Sequence, residues 1–319
     1  MSSFAPLSPF APFSPFTLLS SSSDRPGWLR VLAALGKVRI TVAVTVTTML
    51  GYLMARRGVD RDVWMPILGT FLLASGASAL NQCQEVAIDS RMPRTRRRPI
   101  PAGEVDRTTA FFIAGLLILS GLFLLTSVGR QPMHLLVLGL AALVWYNGVY
   151  TYLKRVTAFA VVPGALIGAI PPVIGYVSGG GSIVDPPILL VAGFLLIWQI
   201  PHFWLLMILI EQQYAGAGLP TLRQTFSKPQ LHRVTFMWIL ATAVIGIVFP
   251  AMMRGQMSLP WNVLIVLDSC WLVTVAVSVL WGARNPDDAA VFRKAFVRIN
   301  LFALLFFVSL SLNALGLGM

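Results

Sequence analysis

The chain has 319 residues, of which 56% are hydrophobic and only 11% are charged. An average soluble domain has roughly 25% charged residues, so this composition excludes a soluble enzyme of the ordinary kind. The mean hydropathy is +0.77 and comes from repeated apolar runs. Because these runs have the length of about 20 residues that a helix needs to cross a lipid bilayer, we predict an all-α, polytopic membrane helical bundle.

The first 24 residues are rich in Pro, Ser and Phe and contain neither Lys nor Arg. They therefore lack the basic start of a signal peptide and the Arg-rich character of a transit peptide. We predict a disordered tail over residues 1–30, followed by one transmembrane domain over residues 31–319.

Hydropathy along the remaining chain predicts nine transmembrane helices. The predicted spans cover residues 38–54, 65–84, 108–127, 133–151, 156–177, 188–210, 235–252, 262–281 and 296–316. With the N-terminus inside, 19 of the 24 Lys and Arg lie on inside segments. The positive-inside rule then predicts a cytoplasmic N-terminus in the cell inner membrane. Since topology explains most of the net charge of +12, we expect no nucleic-acid partner.

A polar segment closes the second span, where residues 81–99 read NQCQEVAIDSRMPRTRRRP. Asn81, Glu85 and Asp89 are spaced four residues apart, so they share one face of a helix. One amide oxygen and two carboxylates are hard ligands of the kind that Mg²⁺ combines with a substrate phosphate. We predict that these side chains hold Mg²⁺ and a diphosphate. The alternative is a helix cap, or surface carboxylates paired with topology arginines.

Basic residues accompany this motif. Arg94, Arg97 and Arg98 follow it closely, and their planar guanidinium groups match phosphate oxygens. Lys154 and Arg155 end the fourth span on the same side of the membrane. We predict that the three arginines that follow the motif bind the diphosphate, whereas Lys154 and Arg155, taken by themselves, are explained by topology.

The fourth to sixth spans contain further candidates. Tyr150 is a candidate substrate-binding residue, and an interfacial aromatic belt is the alternative. Residues 161–176 read VVPGALIGAIPPVIGY, which favours close helix packing or a kink beside a cavity. His202 lies in apolar sequence, where a charged imidazolium is costly. We predict that it ligates iron or relays a proton, and the alternative is a neutral histidine that bonds with a neighbouring helix.

Glu211, Gln212 and Gln213 form a second oxygen-rich cluster at the inner end of the sixth span. We predict that Glu211 binds substrate there, with two clusters on facing helices holding one diphosphate through bridging metal.

Three strings carry a family resemblance: NQCQEVAIDSRMPRTRRRPIPAGEV, YLKRVTAFAVVPGALIGAIPPVIGY and WQIPHFWLLMILIEQQYAGAGLPTL. They resemble the UbiA-type intramembrane prenyltransferases, and within them the protohaem IX farnesyltransferase branch, over residues 35–316. The resemblance implies that farnesyl diphosphate ionises with the help of Mg²⁺ and that its allylic carbon joins a vinyl group of protohaem IX. The products are haem O and diphosphate. A connection to the haem-copper oxidase assembly pathway is also implied.

The resemblance assigns roles to individual residues. They are Asn81, Glu85 and Asp89 as catalytic metal-binding residues, Arg94, Arg97, Arg98, Lys154 and Arg155 as diphosphate-binding residues, and His202 as a catalytic residue on the haem side. Gln213 stands where the family carries an acidic residue before the tyrosine of its second motif. This departure leaves open a prenyltransferase for another aromatic or quinone acceptor, or a catalytically impaired haem- or isoprenoid-binding protein.

Overall fold

The computed structural model describes residues 27–127, 131–253, 255–282 and 288–317. Within these ranges the chain is helical and contains no strand. Nine helical segments there are long and apolar enough to cross a membrane: Val38–Arg56, Arg61–Asp89, Arg107–Thr126, Pro132–Leu153, Ala158–Ser178, Pro186–Leu209, Lys228–Met252, Leu259–Trp281 and Asp288–Ala314. They coincide with the nine predicted spans, which confirms the polytopic all-α fold.

The individual helices are shorter than the spans in three places, beginning with the second span, in which a 3-10 turn, Arg61–Val63, precedes the α-helix. Their bounds are α1 Trp28–Leu35, α2 Val38–Arg56, α3 Trp64–Asp89, α4 Arg107–Thr126, α5 Pro132–Leu143, α6 Thr151–Leu153, α7 Val161–Gly164, α8 Leu166–Ser178, α9 Pro186–Leu209, α10 Glu211–Gly216, α11 Leu222–Thr225, α12 Lys228–Met252, α13 Leu259–Trp281 and α14 Asp288–Ala314. The fourth span joins α5 to α6, and the fifth joins α7 to α8. The predicted tail lies outside the described residues up to residue 26, and α1 begins at Trp28, inside the segment assigned to it.

The chain changes direction between α1 and α2 at Lys37. Lys37 adopts a left-handed backbone conformation with a φ of 49°. The amide Nε2 of Gln82 on α3 donates hydrogen bonds of 2.9 Å to the carbonyl oxygens of Ala34 and Leu35. Because these bonds anchor the end of α1 to α3, the Lys37 side chain is placed at the polar end of α3.

Close backbone contact fixes the fifth span against the first. A Cβ atom on Gly51 of α2 would lie 1.9 Å from the carbonyl oxygen of Pro172 on α8, and one on Gly175 would lie 1.8 Å from that of Thr48. No side chain fits at either position, as is common where small residues let membrane helices approach. The glycines and prolines of this span therefore act as the sequence predicts, since they allow close packing and interrupt the helix at Ala165.

The fourth span contains a π-helical segment, Val144–Tyr150, which hydropathy does not predict. Its buried Asn147 donates from Nδ2 to the carbonyl oxygen of Ala77 at 3.0 Å and to Oε1 of Gln84 at 3.1 Å, both on α3. Such segments are often found at functional sites because they shift the residues that follow around the helix axis. Here the shift accompanies the basic end of the span at Lys154.

An aromatic core joins α9 to α12 and α14. The rings of Phe194 and Phe306 stack with centroids 3.7 Å apart, and Phe249 packs edge-on against Phe306 at 4.9 Å. All three side chains are almost completely buried. Polar side chains on α9 and α14 near this core are therefore held within apolar surroundings.

Candidate active site

The three predicted ligands on α3 face the interior of the bundle. Asn81, Glu85 and Asp89 are 1%, 4% and 3% exposed, respectively. Four-residue spacing on a continuous helix places them on one side of α3, as the sequence predicts. A buried carboxylate is costly unless a positive charge or a hydrogen-bond donor compensates it. Each of these side chains therefore requires a partner.

A different basic residue supplies each partner. The pairs are Lys37 Nζ to Asn81 Oδ1 at 3.0 Å, Lys154 Nζ to both carboxylate oxygens of Glu85 at 2.7 Å, and Arg98 NH1 to the two oxygens of Asp89 at 2.8 and 2.7 Å. These basic residues come from three distant parts of the sequence. Two carboxylates and three cations thus meet at one end of the bundle, which makes the cluster suitable for an anionic ligand.

Further hydrogen bonds hold this end of α3 in place. Asn81 Nδ2 donates to Oγ1 of Thr151 at 3.0 Å, which connects α3 to α6. Thr95 Oγ1 donates to the carbonyl oxygen of Asp89 at 2.9 Å, which folds the following loop back toward the helix end. The loop therefore presents Arg98 to Asp89 in a defined position.

Sequence reasoning missed Lys37. Its Nζ also lies 3.4 Å from the hydroxyl oxygen of Tyr146, so it connects the start of α2 with the fourth span. Burial and the positive charge of Arg98 lower the pKa of Lys37 to about 8, while Glu85 and Asp89 act in the opposite direction. The only sequence signal is a basic residue directly before the first span, which topology explains equally well.

Aromatic side chains lie beside the charged cluster. Lys154 Nζ is 5.5 Å from the ring centroid of Tyr150, and the rings of Tyr150 and Tyr146 stack at 6.1 Å. Gly164 makes room for this arrangement, because a Cβ there would lie 2.7 Å from the Tyr150 ring. Burial raises the pKa of Tyr214 on α10, with the charge of Arg94 acting in the opposite direction. The Tyr214 phenol is therefore neutral at physiological pH.

Other predicted basic residues lie around the cluster and do not pair with its carboxylates. Arg94 and Arg97 are exposed. Arg155 NH2 donates to the carbonyl oxygen of Gln84 at 2.9 Å, and its guanidinium lies 5.1 Å from the Tyr152 ring centroid. Arg155 thus fastens α6 to α3, whereas Lys154 reaches the predicted ligand.

The second oxygen-rich cluster has different partners. Glu211 Oε2 is 2.8 Å from Nε of Arg223, and NH2 of Arg223 is 3.0 Å from Oδ2 of Asp288. Gln213 Oε1 is buried and makes no hydrogen bond within the described residues. Glu211 therefore forms its ion pair with Arg223 of α11, which in turn contacts Asp288 of α14. The α3 residues instead pair with Lys154 at the end of α6 and with Lys37 and Arg98 in two connecting segments.

His202 lies on α9 among aromatic rings. Its ring centroid is 5.0 Å from Trp198, 5.1 Å from Phe203 and 5.3 Å from Phe296. The Asn300 side chain on α14 is a polar neighbour of the ring. His202 lies seven residues before Leu209, the last residue of α9, which corresponds to about 10 Å along the helix axis. The structure therefore places His202 within the bundle, away from its charged end.

The α3 residues fit a metal that is shared with a ligand. Within the described ranges, no three His, Cys, Asp or Glu side chains come together in a group able to hold a metal ion. The donor set of α3 consists of the Glu85 and Asp89 carboxylates and the Asn81 amide oxygen. Mg²⁺ usually combines a few such oxygens with phosphate oxygens and water, so this set suits a metal bound together with a diphosphate.

Comparisons with known proteins agree with this geometry. The family model for the UbiA prenyltransferase family matches residues 44–314. A protoheme IX farnesyltransferase of Geobacter sulfurreducens is 35% identical over 273 residues, which cover 84% of this chain and 95% of that protein. One from Oleidesulfovibrio alaskensis is 40% identical over 192 residues, which cover 60% of this chain and 67% of that protein.

Two solved structures share the fold. A digeranylgeranylglyceryl phosphate synthase superposes with a TM-score of 0.74 at 14% identity, covering 91% of this chain and 99% of that one. A UbiA homolog from Archaeoglobus fulgidus bound to GPP and Mg²⁺ superposes with a TM-score of 0.59 at 12% identity. The superposition covers 88% of this chain and 99% of that one. These two likenesses establish the architecture, and the family match extends over most of the sequence. The chain belongs to the UbiA prenyltransferase family.

Proposed function

We propose that the protein transfers the farnesyl group of farnesyl diphosphate to a vinyl group of protohaem IX, giving haem O and diphosphate. The compared relatives from Geobacter sulfurreducens and Oleidesulfovibrio alaskensis are protoheme IX farnesyltransferases. One observation carries the proposal for this chain. Each oxygen-bearing side chain on the buried face of α3 is paired with a basic side chain from elsewhere in the sequence.

Substrate binding exchanges the partners within this cluster. In the structure Lys154 neutralises Glu85, and Arg98 neutralises Asp89. When the diphosphate arrives, these two cations and Lys37 turn to phosphate oxygens, which are better acceptors because they carry more charge. Glu85, Asp89 and the amide oxygen of Asn81, released from these cations, would hold Mg²⁺, which would supply Lewis acidity toward the leaving diphosphate.

The fixed cations lower the barrier to cleavage of the allylic C–O bond. Negative charge grows on the diphosphate as the bond breaks, and Lys37, Lys154 and Arg98 are already positioned at that end of the bundle. The farnesyl carbon becomes positively charged, and the stacked rings of Tyr146 and Tyr150 offer it electron-rich faces. The exposed Arg94 and Arg97 add positive potential around the cluster, and His202, further inside the bundle, would face the haem.

The experiment is an assay on membranes that contain the protein. Protohaem IX, farnesyl diphosphate and Mg²⁺ are added, and the haem products are identified by mass. We expect haem O in the complete mixture, its loss when a chelator removes divalent metal, and its return when Mg²⁺ is added. Prenylation of a quinone or another aromatic compound, with no haem product, would contradict the acceptor.

Gln213 favours a second candidate function, a protein that binds haem or isoprenoid without turnover. This residue supplies an amide where a carboxylate would hold a second metal, and Glu211 is engaged by Arg223. The same assay separates the two functions when diphosphate release is measured. Binding of both substrates without release of diphosphate supports the binding protein.

We infer that the protein acts in the cell inner membrane, with the charged end of the bundle in the cytoplasm. The distribution of Lys and Arg supports this orientation, which places the diphosphate site on the side where a soluble diphosphate is available. Haem O would then reach haem-copper oxidases within the same membrane. The multi-pass architecture is established by the nine apolar helices within the described residues.

A further inference from the structure

Two histidines lie inside the bundle, the fully buried His232 and the partly buried His202, and each has one buried ring nitrogen without a hydrogen-bond partner among the described residues. In His232 this atom is Nε2, which lies 3.8 Å from the Asp288 carboxylate, while Nδ1 bonds with the carbonyl oxygen of Val279 at 2.7 Å. His202 Nδ1 is buried and has no hydrogen-bond partner among the described residues. A buried polar atom without a partner costs roughly 1–3 kcal/mol, so an unsatisfied imidazole in an apolar setting calls for an explanation.

Contacts lead from the charged cluster toward this histidine. Tyr150, beside Lys154, packs on Gly164, and one helical turn later Gln199 of α9 packs on Gly168, where a Cβ would lie 1.7 Å from its Nε2. His202 follows Gln199 by three residues, which places the two on neighbouring sides of α9. These contacts connect the charged cluster, through the fifth span, with the part of α9 that carries His202.

The proposed reaction leaves one proton to be removed. The C–O bond of farnesyl diphosphate breaks, and its electron pair leaves with diphosphate. The π electrons of the haem vinyl group form the new C–C bond to the farnesyl carbon, which leaves positive charge on the vinyl carbon attached to the porphyrin. A water oxygen bonds to that carbon and gives the hydroxyl group of haem O. One proton of this water must then pass to a base.

We propose that His202 binds this water and accepts its proton, with Asn300 holding the imidazole in position. The proposal rests on the proposed function and adds a catalytic role within it. Apolar surroundings favour a neutral imidazole, which is the form that accepts a proton. The resulting imidazolium lies against the faces of Trp198 and Phe296, whose planes are tilted by only 35° and 33° to the histidine ring.

Product analysis of His202→Gln tests this role. Glutamine fills much of the same volume and binds water, but it does not take up a proton. Without His202 as the base, the cation loses a proton from the adjacent CH₂ carbon, the former vinyl terminus, to the released diphosphate, and the resulting alkene is lighter than haem O by one water. We expect the ratio of hydroxylated to dehydrated product to fall roughly tenfold or more, because general bases contribute at least that much. Diphosphate release should fall much less.

Two comparisons make the result specific. His134→Gln, an exposed histidine at the start of α5, should leave both the ratio and the rate unchanged. Asn300→Leu keeps the imidazole and removes its polar neighbour, so the ratio should shift in the same direction by a smaller factor. This variant also decides the matter if His202→Gln does not fold, since an unchanged ratio in Asn300→Leu then overturns the proposal.

Other outcomes separate the role from its alternatives. A lower rate with an unchanged product ratio in His202→Gln overturns the role as base. An altered visible spectrum of bound haem with an unchanged ratio also overturns it and makes His202 an iron ligand. If the wild-type protein makes no prenylated haem, the proposed function itself has failed, and the water-binding role falls with it.

Discussion

Two polar clusters lie at the same end of the bundle and use similar residues differently. On α3, Glu85 and Asp89 are 4% and 3% exposed. Glu85 pairs with Lys154, which lies 69 residues further along the chain, and Asp89 pairs with Arg98 in the loop that follows α3. Beyond α9, the Glu211 side chain is 16% exposed and pairs with Arg223, whose side chain is 38% exposed. Enclosure strengthens an electrostatic interaction, whereas solvent weakens it. The α3 cluster is therefore suited to binding an anion, and the Glu211 cluster to fastening α10.

This difference makes the candidate site asymmetric. Carboxylates are provided by α3, whereas α10 carries Tyr214, whose phenol is influenced by the charges of Arg94 and Glu85, and the uncharged Gln213. With metal ligands on α3 alone, the basic side chains must neutralise the part of the diphosphate charge that a second metal ion would otherwise neutralise. Lys37, Lys154 and Arg98 are placed to do so, which gives the comparison a measurable consequence.

The largest effect should follow from Asp89→Asn. The amide has almost the same shape but loses the charge that holds Arg98 and the proposed metal. We expect the rate of haem O formation to fall by about 100- to 1000-fold, the scale of losing one charge-stabilising group at an active site. Product formation by variant and wild type in matched membranes measures the effect.

Asp62→Asn provides the matched control for this change. Asp62 is exposed at the opposite end of the bundle and lies 3.5 Å from Arg56. It should retain the wild-type rate. A near-normal rate in Asp89→Asn, with normal insertion into the membrane, would remove Asp89 from the site.

The second prediction concerns Lys37 and separates its charge from its backbone conformation. Lys37→Gly removes the ammonium group and also relieves the left-handed conformation, which costs other residues about 1 kcal/mol. The lost hydrogen bond to Asn81 costs a similar amount, about 1 kcal/mol, so the Tm should change little. The rate should nevertheless fall by roughly 10- to 100-fold.

Lys37→Arg tests whether the positive charge at this position is what supports activity. It keeps the charge, so we expect it to restore much of the activity while retaining the left-handed backbone. If Lys37→Gly loses stability and activity in parallel, Lys37 supports the fold and does not act on the substrate.

The fold and the alignment of the three polar side chains on α3 were predictable because both depend on local periodicity. Apolar runs of sufficient length define the nine spans, and a spacing of four residues places Asn81, Glu85 and Asp89 on one face. Both inferences need only the geometry of a straight helix. The structure agrees with them because α3 is continuous from Trp64 to Asp89.

The basic partners of these three α3 side chains were less predictable, because most of them depend on contacts between distant segments. Lys37 reaches Asn81 across 44 residues of sequence, and its position depends on the hydrogen bonds by which Gln82 anchors α1 to α3. The π-helical segment Val144–Tyr150 brings Lys154 rather than Arg155 to Glu85. Hydropathy and charge do not distinguish these two neighbours, so their different contacts emerge only from the folded chain.

A smaller effect should follow from Arg223→Gln, which breaks the second cluster. This residue connects Glu211 with Asp288, so its loss loosens α10 and α11 from the start of α14. Such partly exposed pairs contribute about 1 kcal/mol at most, which corresponds to a Tm lower by roughly 2–4 °C. Thermal unfolding in detergent gives this value, and activity should fall only a few-fold. A large loss of rate at unchanged Tm would instead place the second cluster in diphosphate binding.

The smallest effect should follow from Arg97→Ala. Its exposed side chain makes no described hydrogen bond or ion pair, whereas the adjacent Arg98 pairs with Asp89. Arg97 therefore acts only through its long-range charge, which attracts the diphosphate and is screened over about 10 Å at 0.1 M salt. We expect the KM for farnesyl diphosphate to rise about two- to threefold at low salt, a difference that shrinks as salt is added. The KM for protohaem should change less, and the opposite pattern would assign Arg97 to a haem propionate. A salt-independent loss as large as that of Asp89→Asn would show that Arg97 enters the site when substrate binds, which would extend the enclosed cluster to the loop after α3.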